Sequence, residues 1–64
     1  MTMIYRTLKI EPGQLVPVHY PGTRILEGKA WILAILMDMP RHKLCRIRWI
    51  SDGHITERRI PKFY

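Results

Sequence analysis

Sixty-four residues and 7.7 kDa limit the chain to one small domain, residues 1–64, and exclude a large multi-domain enzyme. Its single cysteine, Cys45, excludes an intrachain disulfide and a Cys-rich zinc knot, so a thin core must close efficiently or be completed by a second copy in a homodimer. The net charge is +6 with a pI near 10.1, and residues 41–64 hold seven of the eleven cations against two acids, which points to nucleic acid or another acidic surface as the partner, the alternative being charge that serves solubility alone.

In chain order, Met3 to Ile10, with Ile4, Leu8 and Ile10 set among Arg6 and Lys9, reads as an extra N-terminal strand. Pro12-Gly13 marks a turn, after which Gln14 to Tyr20 alternates as a strand that Pro17 confines to an edge or a barrel rim. Pro21-Gly22 is the next turn. The apolar run from Trp31 to Met37 is continuous rather than spaced at three and four, and it lies between Gly28 and Pro40; it predicts a buried strand over 31–39, with Trp31, Met37 and Met39 filling the interior. The competing reading of those residues is exposed apolar surface forming a patch with Ile4 and Leu8.

Pro40 to Lys43 predicts a hairpin connection into a strand over 44–51, where Cys45, Ile47 and Trp49 alternate with Arg46 and Arg48. Asp52-Gly53 predicts a two-residue type I′ turn, and His54 to Ile60 the returning strand, ended by Pro61. Ile55 and Ile60 have opposite parity, so burying both requires a bulge or a bend. Five short strands in so small a chain, Met3 to Ile10 included, predict an all-β fold, a small five-stranded barrel that is closed or nearly closed, with 1–10 as its extra N-terminal strand and 11–64 as the barrel module. Ala30 to Met37 is the longest apolar run, far short of the ~20 residues that cross a bilayer, and no secretory leader pattern opens the sequence. A cytoplasmic protein with a reduced Cys45, making no membrane contact, is the expectation.

Four short segments carry a resemblance. Glu-Pro-Gly-Gln-Leu-Val-Pro-Val-His-Tyr resembles the first strand of SH3-like small barrels, and Gly-Lys-Ala-Trp-Ile-Leu-Ala-Ile-Leu their second. Cys-Arg-Ile-Arg-Trp-Ile-Ser-Asp-Gly resembles the strand and tight turn before their last long strand, and Arg-Arg-Ile-Pro-Lys-Phe-Tyr the closing end. Tudor, chromo-barrel and KOW-type modules and the C-terminal DNA-binding domain of retroviral integrases are the members most similar in layout. The resemblance implies an SH3-like barrel and leaves the activity open, since one fold hosts many activities. A methyl-lysine cage would need Tyr20, Trp31 and Trp49 to converge, whereas Trp49 falls on the predicted buried face.

Nothing in the sequence assembles a catalytic constellation. Cys45 falls on an inward strand face, where a thiol is packing. His19, His42 and His54 have no metal-ligand spacing, no paired carboxylates stand at a catalytic separation, and no glycine-rich phosphate loop occurs. The chain is therefore read as non-enzymatic and free of cofactor and metal. The feature with positive content is basic. Arg46 and Arg48 project from one strand, and counting outward from Asp52-Gly53 brings them near Arg58 and Arg59, while Arg41 and Lys43 cluster at the neighbouring hairpin tip. Guanidinium groups suit phosphate, and Tyr20, Phe63 or Tyr64 at the rim could stack on unpaired bases. These residues point to a nucleic-acid-binding module for DNA or RNA. The alternative is a protein-interaction factor, of phage or another mobile element, that docks on and modulates a larger enzyme through an acidic surface.

Overall fold

A computed structural model describes residues 9–62. They form four antiparallel strands, β1 (Leu15–His19), β2 (Leu26–Asp38), β3 (His42–Trp49) and β4 (Ile55–Pro61), hydrogen-bonded in the sequential order β1-β2-β3-β4. The all-β class holds, but the five-stranded closed barrel does not. The sheet is open and four-stranded, with β1 and β4 as its outer strands and no ladder joining the two. Each of those edges carries a proline, Pro17 on β1 and Pro61 on β4, which removes a donor from any ladder that would join them. The extra strand expected at Met3 to Ile10 lies almost entirely outside the described residues. Its last residue, Ile10, is buried and donates its amide to the Lys62 carbonyl at 3.1 Å.

Both Pro-Gly pairs make turns of one kind. The amide of Gln14 bonds the Glu11 carbonyl and that of Thr23 bonds the Tyr20 carbonyl, with Gly13 at φ 93° and Gly22 at φ 72°. Proline followed by a positive-φ glycine is the type II pattern. Strand β2 is long because it serves two partners. Residues 26–31 pair with β1 and residues 30–38 with β3, and two register shifts, between Ile32 and Ala34 and between Ile35 and Met37, bend the strand between these tasks. The last strand does not bury both of its isoleucines: β3 and β4 pair without a shift, and the parity conflict resolves by burying Ile60 and leaving Ile55 55% exposed.

Curled about one face, the sheet encloses Ile10, Val16, Val18, Ala30, Ile32, Cys45, Ile47, Trp49 and Ile60, each under one-tenth exposed. Gly28 lies against the Trp49 ring, and a Cβ there would meet it at 3.4 Å, an ordinary van der Waals distance. The buried strand expected over 31–39 is corrected in the same way. Ile32 alone in that segment is buried, whereas Trp31 is 42% and Met37 56% exposed and Met39 is only half-buried. A four-stranded open sheet has one inner face, and β2 turns Trp31 and Met37 to the other.

Candidate nucleic-acid interface

The hairpin that carries the arginines is set by its loop. Trp49 donates to the His54 carbonyl at 2.9 Å and Gly53 to the Trp49 carbonyl at 2.8 Å, so four residues, 50–53, make the connection. Gly53 has φ 77°, and no residue other than glycine has positive φ among those described, which rules out a type I′ turn at Asp52-Gly53. Asp52 instead accepts hydrogen bonds from the backbone amide and Nδ1 of His54, and these lower its pKa, the side-chain bond most.

Two extra loop residues move the register by two. Arg46 stands opposite Glu57, Arg48 opposite Ile55 and Leu44 opposite Arg59. The close approach of like charges expected there is replaced by an ion pair, Arg46 to Glu57 at 3.2 Å, with both side chains about half exposed. Arg46, Arg48 and Arg59 thus share the outer face of the β3–β4 hairpin, with Glu57 as the acid between them. Among the described residues Arg48 and Arg59 form no ion pair.

The other three expected cations leave this face. Arg58 stands opposite Cys45, on the inner side. Its guanidinium reaches Glu27 at 2.8 Å and the His19 carbonyl at 3.2 Å, and its Cζ lies 5.6 Å from the Trp49 ring centroid. That hydrogen bond lowers the Glu27 pKa and raises that of Arg58. Arg58 is a structural cation. Lys43 stands opposite buried Ile60 and is half-buried on the same inner side. Arg41 lies exposed in the β2–β3 turn, where its carbonyl accepts from Lys62.

Of the three aromatic residues expected to stack, Phe63 and Tyr64 lie outside the described residues. Tyr20 is half exposed and lines a shallow cleft over the seam between the free edges, with Pro17 to Thr23 on one wall and His42, Arg59, Ile60 and Pro61 on the other. Tyr20 and Arg59 are thereby brought to one place although 39 positions apart in the chain. Trp31 is the aromatic residue the sequence reading placed elsewhere. It stands opposite Arg48 on one side and Leu15 on the other, so Leu15, Trp31, Arg48 and Ile55 form a row across all four strands of the outer face. Lys29, exposed two residues upstream and on the same side of β2, is the signal that marks this face as outward.

Cys45 is fully buried and burial pushes its thiol pKa up, the opposite of an activated nucleophile. No group of three or more His, Cys, Asp or Glu side chains is placed to hold a metal among the described residues, and none of their helices is long and apolar enough to cross a membrane. No family model matches the chain, and neither a curated protein nor a solved structure is significantly similar to it.

Proposed function

We propose that the protein is a non-enzymatic, cytoplasmic module that binds nucleic acid through the outer face of its β3–β4 hairpin. The observation that carries this reading is the gathering of Arg46, Arg48 and Arg59 on one face against the single acid Glu57, in a chain of net charge +6. Planar guanidinium groups take phosphate oxygens in pairs, and a cation with no internal partner gives up none when it binds a polyanion. Arg41, exposed at the next turn, extends the field toward the open end of the hairpin.

Counterion release supplies the test. Affinity for a duplex falls linearly with salt on logarithmic axes, with a slope of roughly 0.9 per phosphate neutralised. The double variant Arg48→Ala, Arg59→Ala is expected to weaken binding to all sequences alike and to flatten that slope by roughly two contacts' worth. An unchanged slope, or no binding at low salt, overturns the reading.

Exposed Leu33, Leu36 and Met37 on β2 favour a second reading, an accessory protein that docks on an acidic surface of a larger enzyme. A pull-down from lysate with and without nuclease separates the two. Capture that survives nuclease, in a chain that binds no oligonucleotide, selects the second.

A further inference from the structure

An aromatic ring stands at either end of the arginine face. On β2 Trp31 lies one strand away from Arg48, its direct cross-strand partner. At the seam Tyr20 shares its cleft with Arg59. Between the two rings, Arg48 and Arg46 on β3 and Arg59 on β4 run diagonally over the sheet. Two strand spacings across and four residues along β4 separate Trp31 from Arg59, roughly 16 Å over the surface.

Phosphate contacts alone would not call for these rings. A duplex presents its phosphates outward and keeps its bases stacked inside, so arginines suffice to hold it. An exposed indole on a sheet face, with an arginine opposite it on the next strand, matches an unpaired nucleotide instead, the base lying on the ring and the phosphate on the cation. Charge chooses the occupant: three arginines to one acid attract a polyanion and repel a second copy of this +6 chain. We propose that an unpaired nucleic-acid strand crosses the outer face diagonally, with bases stacked on Trp31 and Tyr20 and phosphates held by Arg48 and Arg59. This rests on the nucleic-acid reading above and adds to it the state of the strand and two base-contacting residues.

Fluorescence anisotropy with a labelled oligothymidine of about 12 nucleotides, and with a duplex of the same length, tests it on the full chain. The single strand is expected to bind at least about tenfold more tightly than the duplex. Trp31→Ala and Tyr20→Ala should each weaken single-strand binding about tenfold while leaving duplex binding unchanged, and Trp31→Phe should restore most of the loss. Both rings are about half exposed, so thermal melting of the two alanine variants should stay near that of the parent. Equal affinity for the two oligonucleotides, or single-strand binding indifferent to both alanine variants, overturns this inference while the arginine face remains a phosphate site. Absence of binding to either oligonucleotide at low salt overturns both.

Discussion

Trp49 shows what a single side chain is required to satisfy in so small a core. Its indole is 5% exposed, and its Nε1 donates to the Thr56 hydroxyl at 2.9 Å, diagonally across the β3–β4 hairpin. His54 stacks on one part of the ring at 5.8 Å between centroids, and Arg58 lies over it. A buried N–H without an acceptor costs about 1–3 kcal/mol, a large share of the stability of a domain this size. Thr56→Val keeps the branched shape that suits the strand and deletes only the acceptor, so it is expected to lower the unfolding free energy by about that amount in urea titration. Thr56→Ser retains the hydroxyl and should recover most of it. The two tryptophans also show how far alternation can be read. Trp49 follows Cys45 and Ile47 on a strand where arginines mark the other face, so its side was legible. Trp31 opens a run with no polar residue until Asp38, so the one local sign of its side is exposed Lys29 two residues upstream, and the pairing with Arg48 that fixes it is a long-range contact.

At the scale of the hairpin, loop length decides what faces what. A two-residue turn at Asp52-Gly53 and the observed loop over 50–53 bury the same side chains, because a slip of two residues preserves the pleat. They differ in the outer face, where Arg46 meets Glu57. The meander and the inward residues of β3 were therefore legible, whereas the length of the last turn and with it the charge pairing were not: they hung on which residue takes positive φ. Asp52 spends its carboxylate on His54 and stays out of the left-handed region, leaving Gly53 alone to adopt it at φ 77°. Gly53→Ala places a Cβ in that conformation and is expected to cost about 1–2 kcal/mol by strain alone, since the space around it is open except for the Arg48 Nε at 3.9 Å. Gly53→Asn, better tolerated there, should cost less. Chemical denaturation of the two variants checks the order, and equal stabilities would show that the loop relaxes to another geometry.

For the molecule as a whole, the question is what holds the curled sheet when its edges do not pair. Closure by a ladder was the expectation from strand count, and the prolines on both edges stand against it. One side chain does much of the joining instead. Arg58 projects from β4 and contacts the other three strands: the His19 carbonyl on β1, Glu27 on β2 and Trp49 on β3. With its side chain only 21% exposed, the guanidinium is screened less than a surface cation, and its stem packs against the core. Loss of the cation–π contact alone costs about 1 kcal/mol, which in a domain of this size corresponds to roughly 4–8 °C in Tm. Arg58→Met, which keeps the stem, is expected to melt lower by at least that much, and Arg58→Lys to recover only part because a point charge cannot serve three directions at once. The same joint gives stability a pH dependence of fixed sign. The Arg58 hydrogen bond holds the Glu27 carboxyl below its ordinary value, so this contribution is complete above the usual carboxylate range and is lost as pH falls through the lowered value. Asp38, beside Lys62, and Asp52, beside His54, are lowered as well and act in the same direction. Glu27→Gln should therefore melt lower than the parent at neutral pH and converge on it in acid, leaving a shallower slope set by the two aspartates. Parallel melting curves for the two proteins across the acid range would show that the strands are held together by the inner apolar face without help from this ion pair.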